Sequence, residues 1–321
     1  MPQIETTLTF ADRLGGWKAR WGIGRMNYMV PPGLYAIGNP TSDDPVLVTA
    51  NYKMSYDIVR SSLSERNVWL LVLETYGINV WCAAGRGTFG TEELIRRIGM
   101  TNLAGVVSHH RLILPIFGAS GIAAHIVKKQ TGFSISYATI RAADIPRYLD
   151  NGMLTTPDMR ELTFTLWERT VLIPVELVTA LKPTTIAAVV LFIMAAIWEG
   201  GAQGLTTVYA YLGAVIAGVA IVPLLLPWLP GRSFAFKGTL AGVAWVAALY
   251  LLMGGKQWSL SLTLATFLAL PAVSAFHALN FTGCTNFTSR SGVKKEMRLA
   301  IPAMGGALLL SAIFIFAGKL L

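Results

Sequence analysis

The chain has 321 residues, 54% of them hydrophobic and only 13% charged, with 26 basic against 17 acidic side chains. That charge density is about half of what soluble domains carry, which excludes a disordered chain and a wholly soluble one. Two cysteines far apart in sequence exclude a disulfide framework and a metal finger. The net charge of +9 needs no nucleic-acid partner, because the basic residues cluster beside apolar runs.

The opening MPQIETTLTFADRLGG holds no apolar core of a cleavable signal peptide, and residues 1–40 read as an N-terminal extension. Residues 41–165 then alternate strand-like and helix-like runs. VLVTA (46–50) is a short apolar strand, followed by a polar helical stretch from Ser55 to Leu63. VWLLVLE (68–74) is a second strand, continuous enough to be buried on both faces. Thr91 is expected to cap EELIRRIG, with Glu92 and Glu93 in the first turn and Gly99 just past the end. AGVVS (104–108) reads as a third strand, followed by LILP and a glycine loop, FGASG, into a helix IAAHIVKKQTG. FSISYA (133–138) is a fourth, and RAADIPRYLDNG begins a last short helix. The alternation predicts an α/β, Rossmann-like domain with a mostly parallel sheet and helices on both faces. Such sheets bind ligands at the carboxyl ends of their strands.

A linker at 166–183 leads to 184–321, an all-α membrane domain. Five spans of about 20 residues fit at 184–203, 205–229, 236–254, 258–279 and 299–318. Basic residues mark two loops, Arg232 with Lys237, and Arg290, Lys294, Lys295 and Arg298. The other side holds little more than Lys256 and Lys319. The positive-inside rule therefore puts the soluble domain in the cytoplasm and the C-terminus outside, across a cytoplasmic (inner) membrane. Ionisable residues are scarce within the spans, with Glu199 at an end and His277 near one, which favours an anchor or scaffold over a transporter.

Residues 79–87, NVWCAAGRG, contain one of the two cysteines. Gly85, Gly87 and Gly90 spell G-x-G-x-x-G, but the dinucleotide reading fails on context. That motif follows its strand almost at once and has an acidic residue ending the next strand. Here eleven residues, TYGINVWCAAG, separate Glu74 from Arg86, and no carboxylate stands near position 105.

The thiol is more informative. Asn79 is a good N-cap, which makes Val80, Trp81 and Cys82 a first turn, and Gly85 and Gly87 stop the helix after little more than one turn. Cys82 then sits at the positive end of the helix dipole, where an anionic ligand is favoured. Three readings stay open on the residues alone: a small buried side chain, a nucleophile served by His109, His110 or His125, or a soft-metal ligand. A single ligand suffices in the third if a macrocycle supplies the rest.

NVWCAAGRG resembles the cap-helix signature N-V-W-C-A-A/G-G-K of the HgcA family of mercury-methylation corrinoid proteins. The flanks VTANYKMSYDIVR, VVSHHRLILPIFGASG and RAADIP resemble the corrinoid-binding domain shared with the corrinoid iron–sulfur protein. The segment NFTGCTNFTSRSGVKKEM is similar to one found in both families. The resemblance covers most of residues 30–180, and a corrinoid domain followed by five spans is the arrangement of the HgcA family.

The resemblance implies a cobalamin-type corrinoid on the carboxyl end of the sheet, with Cys82 as lower axial ligand to cobalt and as the catalytic residue. Asn79, Val80, Trp81, Ala83 and Gly85 would form the cap, and Thr49 and Asn51 would meet the corrin periphery. Ser108, His109, the Gly118–Gly121 loop and Ala142 would complete the pocket. It further implies a corrinoid-dependent methyltransferase that passes a methyl group to Hg(II), eased by charge donated from the thiolate. The implied partners are a folate-type methyl donor system and an HgcB-like ferredoxin that carries two four-iron iron–sulfur clusters and delivers electrons and Hg(II). Iron–sulfur clusters would reside on that partner alone. The alternative is a membrane-anchored corrinoid methyl carrier with another acceptor. Arg86 stands where the family carries Lys, and Cys284 is either a bystander thiol or a mercury relay.

Overall fold

The computed structural model describes residues 1–285 and 288–320, leaving aside the side chains of Cys284, Arg290 and Lys319. The chain divides into two units, Met1–Thr163 and Phe164–Leu321.

The first unit is built on six strands, β1 (Gln3–Ile4), β2 (Gly33–Ile37), β3 (Val46–Ala50), β4 (Val68–Leu73), β5 (Arg111–Leu114) and β6 (Ser134–Tyr137). Their order is β1-β2-β4-β3-β5-β6. Strands β3 to β6 run parallel, and β2 lies antiparallel on β4. Every residue of β3 and β4 is buried, which is why both read as unbroken apolar runs. Along β4, Trp69, Leu71 and Leu73 enter one core layer while Val68, Leu70 and Val72 enter the other, as the two-residue period of a strand requires. The unit's helices are α1 (Phe10–Arg20), α2 (Lys53–Ser62), α3 (Val80–Arg86), α4 (Thr91–Met100), α5 (Ala124–Thr131) and α6 (Ile145–Asp150). Ala83, Leu94 and Val127 bring α3, α4 and α5 onto the first layer, and Tyr56 and Tyr148 bring α2 and α6 onto the second. The Rossmann-like expectation thus holds as a mixed α/β sheet with helices on both faces.

Three local expectations are corrected. AGVVS is not a strand: Asn102 turns left-handed at φ 47°, and Leu103–Gly105 form a 3-10 turn. The strand falls instead at β5, where Leu112 pairs with Val46 and Ile135. The N-cap of α4 is Gly90 rather than Thr91, and the helix runs through Gly99 to Met100. The sheet also takes in β1 and β2, both from the segment set apart as an N-terminal extension.

The second unit is helical: α7 (Leu166–Thr170), α8 (Ile173–Glu199), α9 (Gly201–Ile216), α10 (Val222–Leu225), α11 (Phe234–Leu252), α12 (Leu260–Asn280) and α13 (Arg290–Leu320). Among the described residues five segments are long and apolar enough to cross a membrane: Leu166–Glu199, Gly201–Leu225, Phe234–Leu252, Leu260–Gly283 and Ser291–Gly318. The span count matches the expectation. Residues 166–183, expected as a linker, are mostly helical and form the first part of the first of these segments. Side chains tie the helices to one another through backbone groups that apolar surroundings cannot satisfy. Trp245 Nε1 donates to Ala210 O, and Ser311 Oγ to Ala265 O, each at 2.9 Å. Glu296 accepts from Ser233 Oγ at 2.8 Å and from the Ala235 N–H at 2.7 Å. The Cys284 thiol, raised as a mercury relay, and its neighbour Asn286 lie outside the described residues.

Candidate functional site

The site is assembled from the loop that follows β4. Glu93, in the first turn of α4, accepts the Glu74 N–H at 2.8 Å and the Arg97 guanidinium at 2.7 Å. Burial pushes the Glu93 carboxyl up, and these bonds outweigh it and hold the group below its ordinary value. Asn51, at the end of β3, reads the same loop: its Oδ1 accepts from the N–H groups of Thr75 (3.0 Å) and Gly77 (3.2 Å), and its Nδ2 donates to Glu74 at 2.7 Å. Thr75 Oγ1 closes the turn on Ile78 O at 2.7 Å. With its polar groups engaged, the loop delivers Asn79 to one fixed position.

Asn79 has extended backbone angles, and its Oδ1 accepts the Cys82 N–H at 2.9 Å. It is the N-cap the sequence predicts. The helix then runs from Val80 to Arg86 and ends at Gly87, left-handed at φ 83°. Gly85 therefore lies within α3 rather than ending it. Ala83 and Ala84 are buried beneath the helix, and Cys82, Gly85 and Arg86 are exposed. The 3-10 turn Ile116–Gly121 presses against the same helix. A Cβ on Gly118 would meet the Phe89 ring at 2.5 Å, and one on Gly121 would meet Phe89 O at 2.2 Å, so only glycine permits this approach. Trp81, 45% exposed, stacks on Phe117 with ring centroids 5.6 Å apart.

Beside this stack, at the carboxyl ends of β3, β5 and β6, lies a pocket of about 310 Å³. Val48 and Thr49 of β3, and Ile113 and Leu114 of β5, form its floor. Ile58 and Val59 of α2, Asn79 to Trp81, Phe117 and Ala142 form its walls. A larger cavity of about 810 Å³ in the second unit, among α8, α9, α12 and α13, has Glu176, Thr179, Thr184, Tyr211, His277 and Asn280 in an otherwise apolar lining, with no thiol among its described residues. The smaller pocket, with Cys82 next to it, is the candidate site.

The structure brings together Thr49, Asn79, Val80, Trp81 and Ala142 around the pocket, with Cys82 on the adjoining exposed turn. Ala83 seats α3 on the core, and Gly118 and Gly121 let the neighbouring turn close on it. Asn51 shapes the loop rather than the pocket lining. Ser108 and His109 are not brought to this group. They precede β5 and sit at the amino end of the sheet, where Ser108 Oγ donates to Asp43 and His109 Nε2 meets Asp44 O at 2.9 Å. Their expected position followed from the strand expected at 104–108. Phe117, Phe89, Glu74 and Glu93 were missed. Phe117 lies inside a motif the sequence singled out, but nothing local marks it as the partner of Trp81.

Residues 24–149 match the family described as CO dehydrogenase/acetyl-CoA synthase delta subunit. Curated relatives carry the same stretch. The acetyl-CoA decarbonylase/synthase complex subunit gamma of Methanopyrus kandleri is 32% identical over 123 residues, 38% of this chain and 26% of the relative. The subunit gamma of Methanocaldococcus jannaschii is 33% identical over 124 residues, 38% of this chain and 25% of the relative. That of Archaeoglobus fulgidus is 31% identical over 131 residues, 39% and 27% of the two chains. The chain thus spans about a quarter of the length of these relatives. The matched family region, which ends at residue 149, contains β3 to β6, α3 and the candidate pocket.

Proposed function

We propose that the chain is a membrane-anchored corrinoid protein that transfers a methyl group to Hg(II), its substrate, forming methylmercury. The observation that carries the reading is Cys82: an exposed thiol on a capped seven-residue helix, fixed beside an apolar pocket at the carboxyl edge of the sheet. The donor set suits a macrocycle. Among the described residues no group of three His, Cys, Asp or Glu side chains could hold a bare metal ion. A corrinoid would bring nitrogen donors of its own and would take one protein ligand, for which the soft sulfur of Cys82 is well matched. Bound there, it supplies a cobalt ion able to accept and release a methyl group.

The protein's own residues do the rest. Asn79 sets the start of α3, and with it the direction of the Cys82 side chain. The Trp81–Phe117 stack gives the ligand an apolar wall and keeps water from one side of it. Thr49 and Ala142 border the pocket where a corrin periphery would lie. Similarity to acetyl-CoA decarbonylase/synthase subunits supports one-carbon chemistry at this domain, and the NVWCAAGRG signature supports mercury as the acceptor. A folate-type donor system and an HgcB-like ferredoxin with two iron–sulfur clusters complete the proposed cycle. The corrinoid domain faces the cytoplasm across the inner membrane, with the C-terminus outside.

A second reading, a carrier serving another methyl acceptor, is favoured by Arg86 in place of Lys and by the acetyl-CoA context of the relatives. Membranes containing the chain and the ferredoxin should show corrinoid absorption bands and form methylmercury from Hg(II). Cys82→Ala should lower methylmercury formation by at least about 100-fold. Corrinoid bands without methylmercury would establish the second reading, and an absence of bands in the wild type would overturn both.

A further inference from the structure

Helix α1 is amphipathic in the wrong direction for a helix of a soluble domain. Such helices turn their apolar stripe to the core and their polar face to water. Here Phe10, Leu14, Trp17 and Trp21 fall at i, i+4, i+7 and i+11, one continuous stripe, and are 79%, 42%, 66% and 46% exposed. The inward side carries Asp12, Gly15 and Ala19 instead. Its attachment to the domain is polar and specific. Asp12 takes Lys53 Nζ at 2.6 Å and Arg60 Nη2 at 2.8 Å, and Tyr28 Oη donates to Asp12 O at 3.1 Å. A Cβ on Gly15 would lie 2.5 Å from Tyr28 Oη, so the helix rests directly on that ring. A capping box between Thr9 and Asp12 fixes its start. The outward stripe is therefore held rigidly, and Ile23 and Met26, also exposed, extend it past the helix end.

Charge selects the occupant. Arg13 and Lys18 are exposed on opposite flanks of the stripe, and the sole acid of α1, Asp12, faces inward in ion pairs. Two tryptophans and a phenylalanine bordered by cations, on a chain with five helices of membrane-crossing length, are the composition of a helix lying in the headgroup layer. We propose that α1 is an interfacial helix that seats the α/β unit on an anionic phospholipid surface through Phe10, Leu14, Trp17 and Trp21. The proposal does not depend on the corrinoid or on the identity of its methyl acceptor.

The test uses the full chain in nanodiscs containing phosphatidylglycerol, with brominated acyl chains as the quencher of tryptophan emission. The chain has nine tryptophans, so Trp17 and Trp21 are isolated by the difference between wild type and Trp17→Phe/Trp21→Phe. Both side chains are exposed, and their replacement leaves the core intact. The emission lost in that variant should belong to the quenched fraction. Arg13→Gln/Lys18→Gln should lower the bound-to-free ratio of the helix by about 25-fold, roughly fivefold per basic residue, and with it the quenching of these two tryptophans. Trp17 and Trp21 unquenched in anionic discs would overturn the proposal and leave a protein partner as the occupant. Equal quenching in purely zwitterionic discs would overturn the commitment to anionic lipid.

Discussion

At the amino edge of the parallel strands the polar groups bond to one another: Ser108 reaches Asp43 and Ser42 O, and His109 reaches Asp44 O. At the carboxyl edge they hold a shape. Asn51, Glu74, Thr75 and Glu93 fix a loop, the loop fixes α3, and α3 leaves Cys82 exposed beside an apolar pocket. Both edges offer hydroxyls, amides and carboxylates, so residue type does not distinguish them. The difference lies in whether the hydrogen bonds close a surface or support a side chain that is left open to a ligand. Substitutions at the two edges should accordingly have very different reach.

The largest effect is expected at Phe89, fully buried between α3 and the Ile116–Gly121 turn. Phe89→Ala removes the ring that both elements rest on and should cost about 3–5 kcal/mol. Thermal unfolding of the full chain would read the loss, and corrinoid retention should disappear with it. A cost below about 1 kcal/mol would mean that α3 is held by something other than packing from beneath.

Asn79→Ala tests the hydrogen-bonded support alone. Loss of the cap on the Cys82 N–H should cost about 1 kcal/mol of stability. It should weaken corrinoid binding by roughly tenfold, as loss of an orienting partner of a metal ligand does. Asn79→Ser, which keeps an acceptor oxygen, should recover most of both. Unchanged corrinoid spectra in Asn79→Ala would show that the cap does not orient the thiol.

Acid sharpens the comparison in another way. Helix α2 contributes Ile58 and Val59 to the pocket wall and is tied to α1 through Asp12, Lys53, Asp57 and Arg60. Burial pushes the Asp12 carboxyl up, but hydrogen bonds from Lys53, Thr9 and Arg60 outweigh it and hold the group well below the usual carboxylate range. A carboxylate depressed in the folded state stabilises the fold above its unfolded value, near pH 4, and loses that contribution as pH falls further. Protection of the α1 and α2 amides, taken relative to their intrinsic exchange rates, should therefore fall as pH drops below about 4, and Asp12→Asn should flatten that dependence. An Asp12→Asn chain with the wild-type acid profile would remove Asp12 as its source.

Much of this architecture was legible in the sequence wherever local pattern decides structure. The unbroken runs of β3 and β4 and the capping asparagine appear where expected, and so does the number of apolar spans, although the first begins at Leu166 rather than at 184. What failed depended on contacts between distant residues. AGVVS has the composition of a strand, yet Asn102 adopts a left-handed turn and the sheet recruits Arg111–Leu114, which begins with an exposed arginine. Pairing of Leu112 with Val46 cannot be read from either segment alone. The same limit hid β2 in the extension, the Trp81–Phe117 stack and the direction in which α1 faces. Periodicity reveals a stripe, but not which side of it the domain occupies.

Misplacing that one strand by a few residues moved Ser108 and His109 from one edge of the sheet to the other, and the smallest predicted effect follows from their true position. Ser108→Ala/His109→Ala removes four hydrogen bonds, those of Ser108 Oγ to Ser42 O and Asp43 and those of the His109 ring with Asp44 O and the Arg111 N–H, at an edge that is partly exposed, where each is worth about 1 kcal/mol or less. Stability should fall modestly, and corrinoid binding and methyl transfer should stay within about twofold of wild type, because no bond from either residue reaches α3 or its loop. Corrinoid titration of this variant beside Asn79→Ala compares the two edges directly. If the amino-edge variant lost as much affinity as the cap variant, the ligand would have to contact both ends of the sheet, and the pocket beside Cys82 would be only part of its site.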